Sequence, residues 1–206
     1  MESILAERTE KDEKLLRISA QIDEFEGYAS AHGQRIAAIA DALATAFNLA
    51  SRDRFFLQQA ALIHDIGELS MNRHYIRSAR ALTTTELIDL QRHPVIGEQE
   101  AAKLGLPRGV QLTIRWHHEW WNGGGYPDGL ESEQIPLAAR ILRVSDTYVA
   151  LTASRPFRSA QTAEEAKKYL IEWAGIEFDP GVVKAFLAAA QRAQTKPAAV
   201  LQAQSK

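Results

Sequence analysis

The sequence predicts an all-α fold. Apolar residues recur at three- and four-residue spacing through almost every segment, and no segment alternates apolar with polar residues as a half-buried strand does. Helix-opening and helix-ending residues also punctuate the chain at helix-length intervals. At 206 residues the chain suits one domain with a real core.

The elements follow in order. Leu15, Ile18, Ile22 and Phe25 form an amphipathic seam over residues 13–26. From Tyr28 to Phe47 alanine, isoleucine and leucine recur on a helical period. A third helix runs from Ser51 through Phe55, Leu57, Ala61 and Leu62 towards Asp65, with Gly67 as its stop, and residues 68–82 read as irregular. Thr83-Thr84-Thr85-Glu86 is a capping box opening a short helix that Pro94 interrupts near His93. Another helix covers residues 95–104 and stops at Gly105. Pro107 suits the first turn of the next, which carries Ile114 and Trp116 and delivers His117 and His118 near its end.

The loop over 119–135 holds Gly123, Gly124, Gly125, Pro127 and Gly129, so it bends sharply and lets backbone approach a ligand closely. Pro136 opens a long helix to Ser154, ended by Arg155-Pro156. Thr162 and Glu165 cap the next, and Asp179-Pro180 begins the last. In domain terms, residues 1–26 read as an N-terminal amphipathic extension, 27–193 as the main domain, and 194–206 as a flexible tail.

Composition excludes several classes of function. Net charge is −2, so no broad basic face is available to grip a long nucleic acid. Without cysteine, disulfides, thiolate catalysis and cysteine zinc sites are ruled out. Met1 to Glu13 lacks the apolar core of a signal peptide, and no 18-residue apolar run could cross a bilayer. A cytoplasmic protein without membrane contact is expected.

Five of the six histidines fall into one ordered set with two aspartates: His32, His64-Asp65, His93, His117-His118 and Asp146. Imidazole and carboxylate are the ligands that hold hydrolytic transition metals. Singly, each residue has a plainer reading: His32 as a hydrogen-bonded core histidine, His93 as a helix-end residue, Asp146 on a solvated helix face. Adjacent residues on a helix point about 100° apart, so neither doublet can easily grip one ion. Two neighbouring ions, or a loosened helix end, would solve that. Seven such ligands with Asp65 bridging make about eight bonds, against about twelve for two six-coordinate ions, which leaves room for water and substrate.

From His32 to Arg158 the chain resembles the HD-GYP family, a branch of the HD-superfamily metal-dependent phosphohydrolases. The residues that carry this are His32-x-x-Arg35, His64-Asp65-Ile66-Gly67, Leu82-Thr83 with Glu86, and His93-Pro94-x-x-Gly97. They continue with His117-His118-Glu119, Gly125-Tyr126-Pro127, Ile135-Pro136-Leu137-Ala138-x-Arg140-Ile141, Asp146, Ala150-Leu151-Thr152 and Arg155-Pro156-Phe157-Arg158.

The resemblance implies an HD-type helical bundle around a dinuclear centre of iron or manganese. It implies hydrolysis of cyclic di-GMP to linear pGpG, to GMP, or to both, with a water shared by the two ions as nucleophile. The implied metal ligands are His32, His64, Asp65, His93, His117, His118 and Asp146, with Asp65 orienting the bridge. Arg155 and Arg158 match positions that contact substrate phosphate, and Tyr126 is a substrate contact or a surface for a signalling partner. Trp116, Trp120 and Trp121 either stack on guanine or pack under the loop. The seam from Leu15 to Phe25 is either a dimerising helix or an extra helix of the domain's own core.

This chain departs from the family pattern at three positions. Tyr28 stands where the family often has a glutamate that helps hold a third metal, Glu68 replaces a lysine that faces the scissile phosphate, and Val149 replaces an aspartate. Arg73 or His74 could supply the lost charge. Two alternatives therefore stand beside cyclic di-GMP hydrolysis: a hydrolase of another phosphoester, and a weakly active or inactive scaffold that binds the messenger.

Overall fold

The computed structural model describes residues 2–155 and 158–195, with side chains described from residue 10 to residue 192 within those ranges. Pro156, Phe157 and all but the first two residues of the expected tail lie outside them. Helix α1 spans Glu2–Glu26, α2 His32–Ala46, α3 Ser51–Ile63 and α4 Ile66–Met71. After a 3-10 turn at His74–Arg77 come α5 (Thr84–Leu90), α6 (His93–Lys103) and α7 (Arg108–Arg115). Then α8 (Leu137–Thr152), α9 (Ala163–Glu172) and α10 (Pro180–Thr195) complete the bundle. Among the described residues there are only isolated β-bridges and no sheet, and no helix is long and apolar enough to cross a membrane.

The core is aliphatic. Ile36, Ala40 and Leu43 of α2, Leu57 and Ile63 of α3, Val110 and Ile114 of α7, and Ile141, Leu142, Val144 and Val149 of α8 are buried in one cluster. Each large aliphatic side chain so buried stabilises the fold by roughly 1.5–3 kcal/mol. Helix α2 packs against α3 and α8, α3 against α7, and α4 against α6. Leu15 and Ile22 of α1 join the same cluster.

Local chemistry sets the helix starts. The expected capping boxes form at Thr83/Glu86 and at Thr162/Glu165. Ala31 before α2 has no capping side chain. The cap comes instead from α1, where the Asp23 carboxylate accepts from the backbone N–H groups of His32 at 3.0 Å and Gly33 at 3.3 Å.

The expected stop at Gly67 is not a stop. The break falls earlier, at His64-Asp65, and Gly67 lies inside α4, so part of the segment read as irregular is helical. A Cβ on Gly67 would sit 2.0 Å from the carbonyl oxygen of His93 and 2.8 Å from the nitrogen of Gly97. Glycine is needed here for close packing of α4 on α6, not to end a helix. Pro94 is likewise no interruption: it occupies the first turn of α6, which begins at His93.

Gly67→Ala must push α6 away from α4, because both obstacles are backbone atoms. Overpacking of this kind destabilises by about 1–3 kcal/mol, occasionally more. We expect Tm to fall by roughly 2–12 °C in thermal denaturation. An unchanged Tm would mean that the two helices slide apart freely.

Candidate metal centre

The break between α3 and α4 settles the geometry of the first doublet. His64 ends α3 and Asp65 precedes α4 with φ −96° and ψ 19°, so their side chains leave a bend rather than a continuous helix. His117 and His118 lie beyond the end of α7, in a turn. Their rings stand 4.0 Å apart at 45°. His93 comes from the start of α6, His32 from the start of α2, and Asp146 from the middle of α8.

Asp65 is the hub. Its Oδ2 lies 3.0 Å from His64 Nε2, which is 3.6 Å from Asp146 Oδ1. Its Oδ1 faces the other way, 3.2 Å from His93 Nε2 and 3.5 Å from His117 Nε2. One ligand atom each from Asp65, His93, His117 and His118 falls within 4.8 Å of the others. On the opposite side the His32 ring stands 5.9 Å from that of His64. The seven candidate ligands thus converge, with Asp65 shared between two groups.

Second contacts fix which ring nitrogen faces inward. Nδ1 of His64, His93 and His117 lies 3.1, 2.8 and 2.6 Å from the carbonyl oxygens of Ala61, Leu90 and Ile114. A carbonyl only accepts, so each Nδ1 carries a hydrogen and each Nε2 is the inward nitrogen, which presents a lone pair when the ring is neutral. His93 Nε2 and His117 Nε2 face one another at 3.4 Å, close enough for one cation to take a lone pair from each when both rings are neutral. His32 Nε2, His64 Nε2 and Asp65 Oδ1 are buried without an aligned hydrogen bond. Leaving such atoms unpaired costs about 1–3 kcal/mol each, so this donor set fits a divalent transition metal.

Electrostatics point the same way. Burial opposes charge on His64, but Asp65 and Asp146 raise its pKa well above the usual histidine range. Burial also opposes charge on Asp65, and His64, His117 and His93 hold its pKa well below the usual carboxylate range. Asp146 is lowered to about 2, burial being overcome by His64. His32 is lowered to about 3, chiefly by burial, and remains neutral. The buried carboxylates thus favour positive charge on or beside the His64 and His93 rings, as a cation site requires.

A second ionic group borders the centre. Tyr28 is buried and stacks on His32 at 3.7 Å and 11°. Arg155 lies over the Tyr28 ring at 4.1 Å, donates to its hydroxyl, and pairs with Glu26 Oε2 at 3.1 Å. Glu68 points inward: its side chain is 12% exposed and Oε1 is 4.0 Å from His93 Nδ1. Burial and the Asp65 charge push its pKa up to about 7. The proposed stand-ins for the missing lysine do not reach it. Arg73 pairs with Asp89 at 2.9 Å, and His74 is exposed.

The glycine loop closes one side. Glu119 is buried and its carboxylate accepts from the backbone N–H groups of Asp128 at 2.7 Å and Leu130 at 3.0 Å, so it shapes the loop. A Cβ on Gly125 would lie 2.5 Å from the His118 carbonyl oxygen, and that closeness lets Tyr126 fold back onto His118, stacked at 4.8 Å and 20°. The tryptophans serve the scaffold: Trp116 donates to Asp128 at 2.7 Å, Trp120 packs edge-on against Trp173, and Trp121 lies under Arg140. Arg158 is exposed and donates to the Ala150 carbonyl. Glu26, Arg143 and Glu177 border the centre without any motif in the sequence to announce them.

Comparison with known proteins agrees with this geometry. The HD domain family model matches residues 18–182. A cyclic di-GMP phosphodiesterase response regulator of Xanthomonas campestris is 34% identical over 191 residues, covering 89% of this chain and 50% of the relative. A 3′3′-cGAMP-specific phosphodiesterase of Vibrio cholerae is 31% identical, covering 77% of this chain and 35% of its own. The chain spans about half or less of the length of these relatives. In fold, it is similar to a solved cyclic GMP-AMP specific phosphodiesterase of V. cholerae, with a TM-score of 0.70, 21% identity, and coverage of 88% of this chain and 49% of that one. With the match spanning the whole ligand set, the chain belongs to the HD domain family, in its HD-GYP branch.

Proposed function

We propose that this chain hydrolyses a phosphodiester of a cyclic dinucleotide, cyclic di-GMP first, with two divalent ions of iron or manganese. The observation that carries the reading is Asp65, whose two oxygens face two separate groups of ring nitrogens. His64, Asp146 and His32 would hold one ion, His93, His117 and His118 the other, with Asp65 between them. The chemistry such ions supply is Lewis acidity towards phosphoryl oxygens and acidification of water. Asp65 orients the centre, and its place between basic rings keeps it ionised. Arg155, with a third of its side chain exposed, offers a guanidinium to a phosphoryl oxygen. The relatives' names support the substrate class, as cyclic di-GMP and 3′3′-cGAMP phosphodiesterases.

Glu68 favours a second reading, a slow enzyme or a scaffold that binds the messenger. Its inward carboxylate repels a phosphodiester where the family has a cation. Partners would have to use what the fold leaves exposed. Helix α1 buries Leu15, Ile22 and Phe25 and exposes Leu16, while Tyr126 is turned towards His118.

The test is turnover by protein purified without oxygen, with Mn²⁺ or Fe²⁺ added. We expect cyclic di-GMP or 3′3′-cGAMP to be converted to a linear product separable by chromatography. Binding without turnover would favour the scaffold, and cleavage only of unrelated phosphoesters would sink the cyclic-dinucleotide reading.

A further inference from the structure

His118 breaks the rule that His64, His93 and His117 follow. Its Nδ1 meets Nη1 of Arg143 at 2.8 Å instead of a carbonyl oxygen. A guanidinium only donates, so Nδ1 of His118 is the bare nitrogen and the neutral ring carries its hydrogen on Nε2. The pair is held from both sides. Arg143 Nη2 donates to Glu177 Oε1, whose other oxygen accepts from the Tyr169 hydroxyl at 3.1 Å. Glu177 is 4% exposed, and backbone bonds from Trp121 and Asn122 to Glu177 and Ile176 tie it to the glycine loop. Tyr126 stacks on a face of the His118 ring. Arg143 Nη1 also lies 4.0 Å from Asp146 Oδ2, so the cation stands between two candidate ligands.

A neutral imidazole coordinates a metal through its bare nitrogen. His64, His93 and His117 offer theirs inward; that of His118 is covered by a guanidinium. We propose that Arg143 is a positioning residue that withholds His118 from coordination, so that the His93–His117–His118 half binds its ion more weakly and last, after Arg143 has released the ring. This rests on the dinuclear reading above.

The first measurement is a long-range ¹H–¹⁵N correlation spectrum of the ion-free full chain. We expect the hydrogen on Nε2 for His118 and on Nδ1 for His117, with Arg143→Met moving the His118 hydrogen to Nδ1. The second is an Mn²⁺ titration followed by electron paramagnetic resonance. Wild type should bind one ion at least tenfold more tightly than the next, and Arg143→Met should tighten the weaker site at least tenfold while the stronger moves less than threefold. A wild-type His118 with its hydrogen on Nδ1 overturns the proposal. So does an equal shift of both affinities, which is a plain charge effect. Should the variant fail to fold, pairing it with Glu177→Gln avoids a stranded carboxylate, and the wild-type spectrum decides by itself. A chain that binds no Mn²⁺ sinks the dinuclear reading with this one; two ions of equal affinity sink only the role of Arg143.

Discussion

Replacing Asp65 by asparagine should abolish turnover, by at least about a thousandfold, or roughly 4 kcal/mol of barrier. The shape survives the change, but the chemistry of the hub does not. Wild type presents one oxygen 3.0 Å from His64 Nε2 and the other 3.2 Å from His93 Nε2. Asparagine keeps one oxygen, puts an amide N–H₂ in place of the other, and loses the charge that both groups share. Metal analysis should show loss of bound ion beside the lost rate. Retained metal with full activity would remove Asp65 from the centre.

The same variant carries a pH signature in ion-free protein. His64 has its folded pKa raised by Asp65 and Asp146, so its contribution to stability is complete below about 6.5, the unfolded value. That contribution is lost as pH rises through the folded pKa. Asp65 has a depressed folded pKa, so its contribution is present above about 4 and lost as pH falls through the folded value. Between those limits both groups are charged in the folded chain. The Tm deficit of Asp65→Asn should therefore be greatest near pH 5–6 and shrink towards pH 9. A deficit that grows with pH would mean that His64 is not the partner.

The sequence makes part of this legible and hides the rest for physical reasons. His64-Asp65 and His117-His118 stand out because scarce ligand types are adjacent, and the capping boxes at Thr83 and Thr162 stand out because their chemistry is local. Gly67 misleads because a missing side chain means the same thing at a helix end and at a close helix crossing. Only the position of His93 and Gly97 tells them apart. The cap of α2 is hidden because Asp23 supplies it from another helix. Arg143, Glu177 and Glu26 are hidden for a similar reason. Arg143 reaches His118 across 25 positions and Glu177 across 34, and Arg155 reaches Glu26 across 129. No local pattern encodes such pairs, because the packing of helices decides them.

Glu68→Lys should raise turnover, and the gain would measure how strongly the Glu68 carboxylate opposes the proposed hydrolysis. The carboxylate is buried beside His93 and faces the same space as Asp65. A unit charge at about 4 Å is worth roughly 1 kcal/mol in water and about 4 kcal/mol at an effective dielectric of 20. Reversing the sign changes the charge by two units, about 2 kcal/mol at the least, so kcat/KM should rise by about one and a half decades or more. Nearby Glu26, which pairs with Arg155, would also gain an ammonium neighbour. Glu68→Gln separates the two effects, since it removes repulsion without adding attraction and should give the smaller gain. The Glu68 carboxyl is pushed up to about 7 in the ion-free chain by burial and the Asp65 charge, and divalent ions beside it would hold it ionised at lower pH. The advantage of Glu68→Gln should accordingly persist from pH 8 down to pH 6. If both substitutions slow the reaction, Glu68 serves the chemistry rather than opposing it, and the slow-enzyme reading of this chain fails.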